Sequence, residues 1–319
     1  MDQALTCSWC DLRYPLKMQT VVAFGKVDVA LVSEILGDQL QLITEPTDSD
    51  LETASGAIVR ANFNFDEAVF NRMPKLKVIA RTGVGTERVD LETAKGRDIP
   101  VVITPGSNTN AVAEGALALA LHLTKRLSPL TELVSSERWA ERDNYPLGDI
   151  EGSTFGIVGY GRIGRRLADI VEVMGAKVLA FDPFAEVPAS RSAETLNELL
   201  SSSNFISLHV PLTNDNHHLI NEATLALVPQ GATLINCSRG PLINLDDALM
   251  ALKSGQVGGV GLDVFDEEPP AHHPIFDHPN VVLTPHVMGL SAKAAAQTFV
   301  DAAQGVRDVL EGRAPKATA

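Results

Sequence analysis

At 319 residues the chain is too long for a single hydrophobic core, which stops growing at roughly 250–300 residues, so two domains are expected. With 45% hydrophobic and 21% charged residues it is not disordered, collagenous or a disulfide scaffold. A net charge of −14 repels phosphate backbones and anionic lipid, so nucleic acid and membrane are excluded as partners, and a small anionic substrate requires local arginines.

The first landmark is the pair Cys7 and Cys10. It has no second pair and no preceding βα unit, so the spacing supports neither zinc nor redox chemistry, and no metal is expected. Cys237 is the third cysteine; so low and odd a count fits a reducing compartment. No basic stretch leads into an apolar one at the N-terminus, and a cytoplasmic location is expected. Four short β-rich runs follow (TVVAF, LQLIT, GAIVR, LKVIA), with helical patterns such as DVALVSEILG and DEAVFNRM between them. Such alternation predicts βα units and a parallel sheet. The longest apolar run, Ala111 to Leu123, is shorter than the ~20 residues of a membrane span and contains Glu114 and His122. It predicts a buried helix and a candidate subunit contact. Six more β runs begin near Ser153: STFGIVGY, AKVLAFD, NFISLHV, ATLINCS, GGVGLDV and NVVLTPH. They suit a doubly wound sheet of the Rossmann type. An Ala-rich helix pattern, roughly Ala292 to Leu310, closes the chain.

Gly159-Tyr160-Gly161-Arg162-Ile163-Gly164 is a GxGxxG between a β run and a helical pattern. The first glycine permits the tight turn. The second lets backbone approach a pyrophosphate at the helix N-terminus, and the third allows close helix–strand packing. Asp182 ends the next β run, where a carboxylate accepts hydrogen bonds from a ribose diol and repels a 2′-phosphate. Three further polar residues fall at or past later β runs: Arg239, Glu268 and His286. In an open α/β sheet the carboxyl ends of strands face the ligand crevice. Arg239 offers a planar fork for a carboxylate, His286 can exchange a proton with a hydroxyl, and Glu268 can orient the imidazole and stabilise its charged form. Each also has a plain alternative as a surface arginine, a solvated glutamate or a capping histidine.

The stretches RTGVGTERVDL, TPGSNTNAVAEGALALALHL, GIVGYGRIG, LINCSRGPLIN, GLDVFDEEP and LTPHVMG together resemble the D-2-hydroxyacid dehydrogenase family, most closely its phosphoglycerate dehydrogenase branch. The resemblance implies an α/β chain of two Rossmann-like or flavodoxin-like domains with doubly wound parallel sheets. An NAD-binding domain, residues 107–286, is inserted into a discontinuous substrate domain, residues 1–106 and 287–319, with hinges near Pro105 and His286. It implies that Arg239, Glu268 and His286 are catalytic. It assigns the NAD site to Gly159, Gly161, Arg162, Ile163, Gly164, Asp182, Val210, Cys237, Ser238, Asp263 and Gly289, with Asp263 near the nicotinamide carboxamide. For substrate it implies Arg60, Arg81, Gly83, Val84, Gly85 and Arg239, and for assembly a homodimer or homotetramer built through the cofactor domain. Residues 1–19 have no counterpart in the family, and a C-terminal regulatory domain is not expected.

Arg60 and Arg81 each end a β run, and the Val59-Arg60 pair looks like the phosphate-contacting position of that branch, so the expected substrate is a 2-hydroxy acid with a second anion at C3. Phosphoglycerate leads; sulfolactate, a phosphonate analogue, glyoxylate and hydroxypyruvate are alternatives. A formate or phosphite dehydrogenase and a catalytically silent NAD-sensing protein are rivals on the same fold. Arg138 and Arg142 follow the apolar helix, where similar enzymes supply cations across a dimer. His217-His218 and His272-His273 are neighbours that do not converge on one metal. His209 reads as a wall of the crevice and Cys237 as a small buried residue.

Overall fold

The computed structural model describes residues 18–60 and 62–319, so Cys7 and Cys10 lie outside the described residues. Strands β1 (Gln19–Phe24), β2 (Leu40–Ile43), β3 (Ala54–Val59), β4 (Val78–Arg81) and β5 (Val101–Val102) alternate with helices α1 (Val29–Leu36), α2 (Asp48–Thr53), α3 (Glu67–Asn71) and α4 (Leu91–Gly96). Helices α5 (Thr109–Thr124) and α6 (Leu127–Ser135) come next. A second alternation runs through β6 (Thr154–Val158), α7 (Arg162–Val173), β7 (Lys177–Phe181), α8 (Leu196–Ser202), β8 (Phe205–Leu208), α9 (Glu222–Leu225) and β9 (Ala232–Asn236). It ends with α10 (Leu245–Ser254), β10 (Val257–Leu262), β11 (Val281–Leu283) and α11 (Ala292–Leu310).

Two compact units result. One holds the described residues up to Ser107 together with Ala295–Ala319; the other is Asn108–Ala294. The return to the first unit falls at Ala295, not at Val287 as the sequence suggests. The reason is local: the backbone N–H groups of Val287 and Met288 donate to the Asp263 side chain, inside the second unit.

The first unit is a five-stranded parallel sheet in the order β2-β1-β3-β4-β5. Side chains alternate across it. Val22, Ala57, Val59 and Ile79 enter one buried cluster, while Val21, Ile58, Val78 and Ala80 enter another on the opposite face, where Phe299, Ala302, Ala303 and Val306 of α11 cover them. Each of α1 to α4 starts on an Asp or Thr side chain that accepts a first-turn backbone N–H, which stabilises such short helices. The two-residue β5 and the short α2 and α4 lack the apolar periodicity by which the other elements announce themselves.

The second unit is a six-stranded parallel sheet in the order β11-β10-β9-β8-β6-β7. Its faces alternate in the same way: Val158, Ile206, Leu208 and Leu234 point to one cluster, Ile157, Phe205 and Ile235 to the other. Beyond β7, Ser192 makes a single parallel bridge to Ala180. That bridge stands where a Rossmann sheet keeps its third strand. The edge is fastened by Arg191 instead, whose guanidinium donates to the Tyr160 hydroxyl (2.7 Å) and to Asp169 (2.8 Å) and Glu172 (2.6 Å).

Candidate active site

The turn after β6 is built by its glycines. Gly159 has φ +95°, and a Cβ there would stand 2.5 Å from the His209 carbonyl oxygen and 2.8 Å from Val210 Cγ1. A Cβ at Gly164 would run into the Gly159 carbonyl, so only glycine lets α7 approach the strand. Gly161 caps α7 with no side-chain hydrogen bond, and nothing lies within 4 Å of where its Cβ would be. The turn thus leaves open space against the exposed N–H groups of a helix start, which fits a pyrophosphate. Arg162 and Ile163 form the first turn of that helix.

Asp182, just past β7, faces the same turn. Its Oδ2 accepts the Tyr160 N–H (2.7 Å), and Oδ1 accepts those of Phe184 and Ala185 (2.9 and 3.0 Å). Burial works to raise its carboxyl, but these three donors and the nearby Arg165 outweigh it and hold Asp182 below the ordinary aspartate range. A carboxylate has about four acceptor positions. Three are taken, and one on Oδ2 is left for a ribose hydroxyl. Replacing Asp182 by Ser is therefore expected to raise the NADPH to NADH ratio of kcat/KM by about tenfold or more, since one charge-assisted bond is lost and one repulsion relieved. Equal use of NADPH and NADH by the unaltered protein would refute this role.

Arg239, Glu268 and His286 follow β9, β10 and β11, three neighbouring strands of the second sheet. His286 Nδ1 and Glu268 Oε2 are 2.7 Å apart, while Glu268 Oε1 accepts the Phe265 N–H at 3.2 Å. With Nδ1 committed to the carboxylate, Nε2 is the nitrogen left to meet a substrate. His286 has φ +53°, a conformation that non-glycine residues rarely hold and that clusters at functional sites. Asp263, 2% exposed, holds it there. Its side chain accepts the Thr284 hydroxyl (2.6 Å) and the N–H groups of Val287 (2.9 Å) and Met288 (3.1 Å), and its carbonyl accepts the His286 N–H (2.8 Å). Asp263 thus serves the histidine loop with contacts that its sequence position did not disclose.

The turn carrying Arg239 is organised by Asn236, fully buried, whose Nδ2 donates to the Arg239 carbonyl (2.8 Å) and whose Oδ1 accepts the Ser238 N–H (3.0 Å). Ser238 Oγ donates to the Leu208 carbonyl at 2.5 Å, and the Arg239 guanidinium donates to the Ser238 carbonyl at 2.7 Å. A Cβ at Gly240 would collide with the backbone of Phe265 and Asp266, so this turn rests directly on the segment leading to Glu268. Cys237 is a part-buried free thiol pushed far up by burial, with the Asp263 charge adding to it, an environment that disfavours the thiolate. The His209 imidazole is pushed down to about 4 by burial and is neutral at pH 7; its Nε2 meets Ser207 Oγ at 2.9 Å. Asn236 and Thr284 were missed in the sequence, although an Asn at a strand end before a turn is a known Asx signal.

Residues expected to meet substrate also lie in the first unit, and two of them part ways. Arg81 is 3% exposed: Nε and Nη2 donate to the Gly85 carbonyl (3.0 and 2.9 Å) and Nη1 to that of Arg60 (2.6 Å). It is a brace for the 82–85 loop, not the open strand-end cation that the sequence suggests. Gly83 has φ +144° with open space at its Cβ position, and Val84 is 49% exposed, so the braced loop presents backbone outward around Gly83, Val84 and Gly85. Arg60 differs. Its half-buried guanidinium lies over the Phe299 ring at 5.4 Å, burial draws it below the ordinary arginine value, and no carboxylate among the described residues pairs with it. Arg138 is committed to Glu132 (2.9 Å) and Glu141 (3.1 Å), and Arg142 to the Trp139 ring. Among the described residues there is no group of three or more His, Cys, Asp or Glu that could hold a metal, and no helix long and apolar enough to cross a membrane.

A parallel sheet with a glycine-built turn opening a helix and a carboxylate at the end of the next strand has the arrangement of a dinucleotide-binding sheet. Residues 117–288 match the model of the D-isomer specific 2-hydroxyacid dehydrogenase family, NAD binding domain. The chain belongs to that family, and its cofactor is NAD. The chain is 36% identical over 268 residues to D-3-phosphoglycerate dehydrogenase of Bacillus subtilis, covering 83% of itself and 50% of that protein. It spans about half the length of the curated relatives it matches. Among solved structures, the TT0316 protein from Thermus thermophilus is 31% identical with a TM-score of 0.82, covering 94% of this chain and 100% of that one. D-Lactate dehydrogenase from Aquifex aeolicus, solved with NAD and lactic acid, is 28% identical with a TM-score of 0.79, covering 92% and 96%.

Proposed function

We propose that the protein interconverts a 2-hydroxy acid and its 2-keto acid with NAD, and that its substrate carries a second anion at C3, with D-3-phosphoglycerate and 3-phosphohydroxypyruvate first among them. In the oxidising direction His286 Nε2 takes the hydroxyl proton, while Glu268 on Nδ1 fixes the ring and balances the imidazolium. NAD, when bound, supplies the acceptor for the hydride that leaves C2. Arg239 holds the substrate carboxylate through its planar fork. In the reducing direction the protonated histidine returns its proton to the forming alkoxide. The intact Glu268–His286 pair supports catalysis over a silent NAD-binding role.

One observation carries the finer reading: Arg60 keeps a charge half-buried over Phe299 without a carboxylate among the described residues, as a contact for the substrate's second anion requires. The names of the curated relatives support the same substrate. A second reading, reduction of small 2-keto acids such as glyoxylate or hydroxypyruvate, is favoured by the likeness to a lactate-binding structure. The test is kcat/KM across 3-phosphohydroxypyruvate, sulfopyruvate, hydroxypyruvate and glyoxylate with NADH, alongside formate and phosphite with NAD. Equal efficiency on glyoxylate and the C3 anions would overturn the proposal. Arg239→Lys is expected to stay impaired by about tenfold or more, because an ammonium cannot reproduce two parallel bonds. Full activity in that variant would remove Arg239 from the carboxylate contact. A homodimer or homotetramer is part of this reading: Val134 and Trp139, each 60% exposed on and just after α6, offer apolar contact area in the NAD-binding unit. Sedimentation as a monomer at micromolar concentration would argue against it.

A further inference from the structure

Helix α5 touches two parts of the site that no segment of sequence joins. On one flank it meets the dinucleotide helix. Arg166 Nε of α7 donates to Asn110 Oδ1 at 2.8 Å, and Ala113, Ala116 and Ala120 share a buried cluster with Leu167, Ala168 and Val171. On the other flank it meets the histidine loop. A Cβ at Gly115 would stand 2.6 Å from Met288 Cβ and Sδ and 2.8 Å from Cγ, closer than real side chains approach. Next to it, a Cβ at Gly289 would stand 2.9 Å from Asn108 Nδ2 and 3.4 Å from Val112 Cγ2. Met288 is two residues past His286, and its N–H is bound to Asp263 at 3.1 Å.

A glycine in mid-helix weakens the helix relative to alanine, and α5 is otherwise rich in Ala and Leu. The notch at Gly115 is where the loop seats. The loop has little freedom to yield, because Asp263 ties it at Thr284, His286, Val287 and Met288 and because His286 already sits at φ +53°. We infer that Gly115 is a positioning residue: the notch it leaves in α5 seats Met288 and so fixes where His286 stands relative to the dinucleotide-binding helix α7. The inference rests on the proposed role of His286 as the proton-exchanging group, not on which acid is the substrate.

The experiment compares Gly115→Ala, Met288→Ala and the double variant in the full chain with NADH. It uses whichever 2-keto acid the unaltered protein reduces best. NADH affinity is read separately by fluorescence titration. Gly115→Ala is expected to lower kcat by about ten- to a hundredfold, as displacement of a catalytic group by a fraction of an ångström to 1 Å does, with the NADH Kd essentially unchanged. The double variant removes Cγ and Sδ, two of the three Met288 atoms that the new methyl meets, and keeps Cβ, so it is expected to recover kcat in part and to exceed Gly115→Ala. Unchanged kcat in Gly115→Ala, a parallel loss of NADH binding, or no recovery in the double variant would each overturn the inference. If Gly115→Ala does not fold, Met288→Ala alone decides: kcat falling with Kd kept supports the seat, and unaltered kcat overturns it. An unaltered protein inactive on every acid of the panel would refute the proposed function instead.

Discussion

Replacing His286 by alanine is expected to lower kcat by roughly 10²–10⁴-fold, the usual worth of general acid–base catalysis, while leaving NADH affinity nearly intact. The separation follows from where the groups stand. The residues assigned to the pyrophosphate and ribose lie past β6 and β7, at one end of the strand order, and His286 lies past β11, at the other. The imidazole is held by Glu268 at 2.7 Å on Nδ1, so its loss removes the proton exchanger and leaves the Asp263-bound backbone in place. Steady-state rates with the preferred keto acid, beside an NADH titration, measure both quantities. Near-normal turnover would remove His286 from the chemistry.

Arg60→Ala carries the second large expectation. A charge-assisted hydrogen bond contributes roughly 1.5–3 kcal/mol, so the change is expected to cost about ten- to a hundredfold in kcat/KM for an acid bearing a C3 anion. Glyoxylate has nothing to place there, and its kcat/KM is expected to change little. The guanidinium suits this role because its desolvation is already met in the folded state, over the Phe299 ring. Lysine in its place presents a point charge without the fork, so Arg60→Lys should recover only part of the loss. Equal losses on both substrates would make Arg60 a support of the fold.

Both parallel sheets were legible in the sequence because most of their strands, such as β3, β4, β8 and β9, are buried on two faces and read as continuous apolar runs, whereas the two-residue β5 does not. The GxGxxG stood out because its first and third glycines answer separate steric demands, at Gly159 and Gly164, while Gly161 leaves open space at the start of α7. The bridge at Ser192 was illegible: one residue has no periodicity, and what fastens it is the distant set Arg191, Tyr160, Asp169 and Glu172. Strand-end arginines were ambiguous for a related reason. Arg60 and Arg81 look alike in sequence, yet Arg81 turns inward because the carbonyl of Gly85 comes back to meet it. The seat of Met288 at Gly115 was equally hidden, since contact between residues so far apart in the chain leaves no local pattern.

The cover that α11 lays over one face of the first sheet has a consequence for synthesis. Strands β1 to β5 leave the ribosome before the inserted unit, but the face lined by Val21, Ile58, Val78 and Ala80 gains Phe299, Ala302, Ala303 and Val306 only after that whole unit has emerged. The inserted unit, contiguous from Asn108 to Ala294, has its own strands and helices in hand earlier. Domains tend to fold in order of emergence. Here the order is reversed, and the half that begins the chain is the half completed last. A nascent chain that stalls before Ala295 would hold a finished second unit and an apolar sheet face covered only by α1, through Val32 and Leu36, a ready target for chaperones.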